Sequence, residues 1–163
     1  MGIYAGANLT ATYTTLTEGN TPSLGDVFVG IDDKRYRFVL FDNGAGNVAA
    51  VAGNFAYVLA VSGASAGQTT TVTMDLSDSA EVGAGVFQSV PADGEYCWVQ
   101  ISGFATLTTA LTAGADGDNL TPTGSTDGTL DAIDTTSALT ANAHVCAIAI
   151  DASAKIVLLT NMG

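Results

Sequence analysis

The chain has 163 residues and a mass of 16.4 kDa, a length that fits one domain with a core large enough to fold without staples. Four Lys+Arg against 16 Asp+Glu give a net charge of −12, which argues against nucleic acid, since phosphate binding needs clustered cations. Only 12% of residues are charged and 47% are hydrophobic, unlike a disordered acidic tail.

Gly interrupts almost every stretch where a helix could grow, and each interior Gly costs a helix about 1 kcal/mol relative to Ala. Thr and Val favour pleated surfaces because β-branching restricts χ1. The chain therefore reads as all-β, a small β-barrel or β-sandwich-like domain of short antiparallel strands. Residues 1–25 read as an extended N-terminal arm and residues 26–163 as the single β domain. Residues 1–17 are nearly uncharged, and the Thr-rich stretch Thr10 to Thr17 has strand propensity but little apolar content. Such an arm is expected to be poorly ordered alone and extended when docked.

A turn follows at Gly19-Asn20-Thr21-Pro22, then a short strand from Asp26 to Ile31 and a better one from Tyr36 to Phe41. Asn43-Gly44 is a strong hairpin signal. Asn47 to Val61 reads either as a helix, from its Ala content, or as two short strands split by Gly53. Gln68 to Met74 predicts a strand, and Ser77 to Val82 one helical turn capped by Asp75 or Ser77. The clearest unit is a hairpin, Gly85 to Val90 and Glu95 to Phe104, turning at Pro91-Ala92-Asp93-Gly94. In its second strand Cys97, Val99 and Ile101 face one way and Tyr96, Trp98 and Gln100 the other. Bulk on both faces predicts a central strand. Residues 112–128 read as polar turns, with Asp116-Gly117 and Asp127-Gly128 as markers, and Thr129 to Ile133 as a short strand. Ala143 to Ile150 and Lys155 to Thr160, joined by Asp151-Ala152-Ser153-Ala154, form a natural antiparallel pair.

No catalytic constellation stands out. Gly63-Ala64-Ser65-Ala66-Gly67 fits the nucleophile-elbow pattern, which needs a helix immediately after the Ser, but Gln68-Thr69-Thr70-Thr71-Val72 follows instead. His144, the only His, would have to be the base. One His and two separated Cys cannot assemble a zinc set, and Cys97 and Cys146 read as buried hydrophobes rather than a bridge. Asp116, Asp118, Asn119, Asp127, Asp131 and Asp134 invite a calcium test, yet Leu120 occupies the third ligand position of an EF-hand spacing. They read as turn residues. The sequons at Asn8-Leu9-Thr10 and Asn119-Leu120-Thr121 mean little without a secretory signal, and the N-terminus shows no basic region followed by a continuous apolar stretch. No apolar window is long enough to span a bilayer. The expectation is a protein made in the cytoplasm, with no enzymatic activity, no cofactor, no metal and no membrane partner. The cluster Lys34, Arg35 and Arg37 is either a docking patch for an acidic partner or a solvated turn beside Asp32 and Asp33.

Several stretches carry a resemblance: Tyr36-Arg37-Phe38-Val39 leading through Asn43-Gly44 to Val48–Asn54, Gly83-Ala84-Gly85-Val86-Phe87, Ala92 to Gln100, and the closing Ile148-Ala149-Ile150 and Ile156 to Leu159. Over residues 26–160 the chain resembles the phage head decoration, or cement, proteins that cap HK97-type capsids. The resemblance implies a virion protein on the outer capsid surface. It implies the major capsid protein as partner, and homotrimers at local threefold axes as in lambda-type phages. It further implies an N-terminal arm that pairs with capsid-protein strands. The candidate interface residues are then Ile3, Tyr4, Leu9, Thr12, Tyr13 and Leu16 of the arm, with Lys34, Arg35 and Arg37. The alternative is another phage virion structural β protein, such as a tail tube, a fibre or a surface-binding module.

Overall fold

The computed structural model describes residues 6–60, 68–133, 144–160 and 162. The fold is all-β. Among the described residues ten strands run in chain order as β1 (Val27–Val29), β2 (Arg35–Phe41), β3 (Phe55–Leu59), β4 (Thr71–Thr73), β5 (Ser79–Phe87), β6 (Tyr96–Thr106), β7 (Asn119–Thr121), β8 (Asp131–Ala132), β9 (Ala147–Asp151) and β10 (Ile156–Leu159). No helix among the described residues is long and apolar enough to cross a membrane.

Two strands organise the sheet. β2 pairs antiparallel with β1 and β6, and parallel with β4 at Leu40↔Thr71 and Phe41↔Val72. β4 pairs with β3, β3 with β5, and β5 with β6. The pairings thus run β2–β4–β3–β5–β6 and return to β2, a closed circuit. The eleven-residue β6 then leaves the circuit and pairs with β10, which leads through β9 and β7 to β8. Gly103, at φ 91°, sits where β6 changes partner, just after its last pair with β2 at Ser102. A left-handed residue there lets the strand bend, and glycine adopts that conformation without a Cβ penalty.

The two faces of β2 and β6 serve different cores. Val39, Phe41, Cys97, Val99 and Ile101 join the main core with Phe55, Tyr57, Val72, Phe87, Leu120 and Leu130. Tyr36, Phe38 and Trp98 point the other way and form a second cluster. Both cysteines are free and buried, and burial pushes each thiol up to about 12.

The β5–β6 hairpin, the closing β9–β10 pair and the central place of β6 agree with the sequence reading. The Asn43-Gly44 reading does not hold, since no hairpin forms there and β2 pairs with β4 and β6 rather than β3. A long-range carboxylate overrides the local signal. Asp75 is 2% exposed and accepts from the Gly46 amide at 2.8 Å, the Ser77 amide at 3.0 Å and the Ser77 hydroxyl at 2.6 Å. Asp75 also caps the 3-10 turn Leu76–Asp78, and the rest of the predicted helical turn is strand β5. The Gln68 to Met74 strand shortens to β4, and within Asn47–Leu59 only Phe55–Leu59 joins the ladder. β7 lies inside the stretch read as turns.

Replacing Asp75 by Ala leaves the Gly46 and Ser77 donors unpaired and is expected to lower unfolding free energy by about 2–4 kcal/mol in urea melts. The Ser77 hydroxyl first, then the Gly46 and Ser77 amides, hold the Asp75 carboxyl below its ordinary value of 3.8. A depressed value means the native state binds fewer protons, so this contribution is full above 3.8 and fades as pH falls through the native value. The gap between wild type and Asp75→Ala should therefore narrow on acidification below about pH 4.

Candidate interaction surface

The second core cluster lies on the opposite face of β2 and β6 and is built from alternate residues of adjacent strands. Tyr36 and Phe38 come from β2, Tyr96 and Trp98 from β6, and Phe28 from β1. The β2–β6 register sets Phe38 directly opposite Trp98, with ring centroids 5.1 Å apart. Phe28 meets Trp98 edge-on at 6.4 Å and stacks on Tyr36 at 6.2 Å, while Tyr96 stacks on Phe38 at 6.2 Å. Burial first, then the Asp32 charge, raises the Tyr36 hydroxyl above its ordinary value, so it stays protonated.

The N-terminal segment covers this face. Ala7, Leu9 and Tyr13 pack on the cluster, and the Tyr13 ring meets Phe38 edge-on at 5.6 Å. Exposure alternates along the segment: Ala7, Leu9, Ala11 and Tyr13 are half-buried, whereas Gly6, Asn8, Thr10 and Thr12 are exposed. One isolated antiparallel bridge holds it, with the Tyr13 amide donating to the Tyr96 carbonyl at 2.9 Å and the Tyr96 amide to the Tyr13 carbonyl at 2.8 Å. The segment is not extended throughout. Ala11 donates to the Asn8 carbonyl at 3.2 Å and the Thr10 hydroxyl to the Asn8 side chain at 3.1 Å, closing a local turn. Short polar side chains that bond nearby groups favour such turns over strand. The expected arm, poorly ordered alone, is thus seated on the protein's own body at residues 6–13.

Residues 14–20 are all exposed. Their hydrogen bonds are local: the Asn20 and Thr21 amides donate to the Thr17 carbonyl, and the Thr17 amide to the Thr21 hydroxyl. The chain rejoins the sheet at Gly25, whose amide donates to the Phe38 carbonyl at 2.9 Å.

The structure places the candidate interface residues unequally. Leu9 and Tyr13 face the aromatic cluster, Thr12 is exposed on the outer side, and Leu16 is 39% exposed in the linker. Ile3 and Tyr4 lie outside the described residues. Lys34 pairs with Asp32 at 3.4 Å across the β1–β2 turn, and Arg35 opens β2 opposite Ser102. Arg37 departs from the patch. It lines a cavity of about 330 Å³ with Val39, Val58, Gly83, His144 and Met162. Tyr36 and Arg37 are successive residues of a strand, so they face opposite sides and cannot share one surface.

The other sites considered in the sequence resolve as follows. The Gly63–Gly67 pattern lies outside the described residues, and His144 is exposed beside Arg37. Asp116, Asp118 and Asp127 accept from the Ala152, Ala115 and Leu76 amides, each closing a turn or joining loops. Asp134 lies outside the described residues. Among the described residues no group of three or more His, Cys, Asp and Glu is placed to hold a metal ion. The sequence reading named the arm but missed its seat; the signal was there in Tyr96 and Trp98, bulky residues on the face opposite Cys97, Val99 and Ile101. The chain matches no family model, no curated protein and no solved structure.

Proposed function

We propose that the protein is a non-enzymatic structural component that binds the outer surface of a phage capsid and stabilises it, working as homotrimers at local threefold axes. The observation that carries this reading is the separable N-terminal segment. It is held to the body by one two-bond bridge and an aromatic seat, and joined to it through the exposed residues 14–20. Tyr13 uses its amide and carbonyl on Tyr96, so in an extended chain the groups of its neighbours point to the opposite edge. That edge can accept a strand of another chain, and strand addition gives main-chain bonds without demanding a particular sequence. The resemblance to decoration proteins points the same way. Repetition over many equivalent sites makes a modest interface collectively strong. A net charge of −12 keeps the free protein soluble before docking.

Two measurements test the reading. The first is copy number in purified virions against the major capsid protein: near one per capsid subunit is the expected result, and one third would mean a single copy at each threefold in place of a trimer. A handful of copies would move the protein to a tail or fibre, and absence would reject a virion role. The second is deletion of residues 1–17. None of the described residues 6–17 joins the main core, so the body should stay folded while shell binding weakens at least tenfold in a sedimentation assay. Unchanged binding would sink the role of the arm.

A further inference from the structure

We infer that residues 6–13 exchange between copies, so that the segment of one chain occupies the aromatic seat of a second copy. The inference goes beyond the capsid reading and does not depend on it.

Two observations set the argument. The first is that the segment covers an aromatic seat. Tyr36 is 5% exposed and Phe38 and Trp98 are 0% exposed beneath and beside the segment. Unseating it uncovers part of a contiguous aromatic surface, and such surface is recovered by covering it with another apolar element. The occupant with matching shape already exists: Ala7, Leu9 and Tyr13, repeated in every other copy of the chain.

The second observation is the hinge. Residues 14–20 are exposed, and the bonds that close the Thr17–Thr21 turn stay within the turn. Even the hollow at this loop is lined only by its own residues, Leu16 to Leu24. Among the described residues, opening the turn therefore breaks hydrogen bonds of the turn itself. Drawn out, residues 14–21 reach about 25–30 Å, enough to pass to an adjoining molecule. In the exchanged form every contact of the seat is remade in trans, so the two forms differ only in the hinge and in the entropy of association. High local concentration then favours exchange. The exposed side of the segment, Asn8, Thr10 and Thr12, stays outward in either form.

The test uses full chains and no shells, so its outcome is separate from that of the capsid reading. Tyr13 and Tyr96 are directly bridged, and their Cα atoms in such a pair lie about 5.5 Å apart, within disulfide range. Chains carrying Tyr13→Cys and chains carrying Tyr96→Cys are mixed one to one at high concentration and oxidised. Peptide mapping then seeks the 13–96 linkage, with the double variant showing that the pair can close. The expected result is a 13–96 disulfide joining two chains, rising with concentration. A double variant that closes only within one chain, beside a mixture that gives no such linkage, would overturn the inference.

Because both substitutions touch the cluster, a second measurement leaves it intact. A photoreactive group at the exposed Thr12 is activated in a mixture of ordinary and isotopically heavy chains. Cross-links from light arms to heavy residues 94–98 support exchange, and cross-links confined to like chains refute it.

Discussion

Trp98→Ala should lower unfolding free energy by about 3–5 kcal/mol, a large share of the 5–15 kcal/mol that holds a typical domain together. Trp98 is fully buried, faces Phe38 at 5.1 Å and Phe28 at 6.4 Å, and lies in the cluster that seats Leu9 and Tyr13. Truncation removes an indole from a site bounded by two strands of a closed circuit, which cannot collapse far to fill it. The loss should therefore fall at the upper end of the range. Trp98 is the only Trp, so the urea melt must be followed by circular dichroism. A separate consequence concerns the segment. With the seat hollowed, the Tyr13–Tyr96 bridge loses its packing support, and the Tyr13 amide should exchange with solvent well before global unfolding. Trp98→Phe should keep most of both properties. A loss under 1.5 kcal/mol in Trp98→Ala would mean that the second cluster contributes little.

The parts of this fold that are legible in sequence share one property: a short-range pattern that tertiary contacts do not contradict. Cys97, Val99 and Ile101 alternate with Tyr96 and Trp98, and both sets are bulky, so a central strand with two covered faces follows directly. Gln100 belongs to the same alternation, yet it is 4% exposed, with its amide donating to the Ser102 and Phe104 carbonyls where β6 bends at Gly103. The β9–β10 pair needed only two apolar runs and a polar turn between them. What stayed hidden depends on residues far apart. Asn43-Gly44 looks like a hairpin until Asp75 gathers the Gly46 amide. The parallel β2–β4 pair and the return of β6 to β2 have no local signature at all. Asn119-Leu120-Thr121 is too short to show alternation, though Leu120 is fully buried.

The candidate surface divides in the same way. A nearly uncharged Thr-rich start announces an arm, because nothing in it can build a core alone. That the arm seats on its own body is not announced, since its anchors are an Ala, a Leu and a Tyr spaced among small and polar residues. The seat itself comes from strands that adjoin only through the β2–β6 register. Arg37 is a different case. Close in sequence to Lys34 and Arg35, it reads as one patch with them, but it lines the cavity with Val39 and His144.

Gly85→Ala is expected to destabilise by about 3 kcal/mol or more, from two additive causes. Gly85 has φ 137°, a region that residues with a Cβ scarcely enter, at about 1–3 kcal/mol of strain. A Cβ built there would lie 2.5 Å from the Gln100 carbonyl oxygen and 3.1 Å from the Val99 Cβ. The first neighbour is backbone of β6 and cannot swing aside, so β5 and β6 must part. They pair only at Val86↔Gln100 and Phe87↔Val99, beside the substitution, and this seam closes the circuit. Gly94→Ala separates the two causes. Gly94 also has positive φ, 76°, but nothing lies within 4 Å of its Cβ position. That variant should cost only about 1 kcal/mol, the conformational share. Equal losses at the two positions, measured in parallel urea melts, would place the whole effect in backbone strain. A much larger loss at Gly85 would place it in the β5–β6 seam.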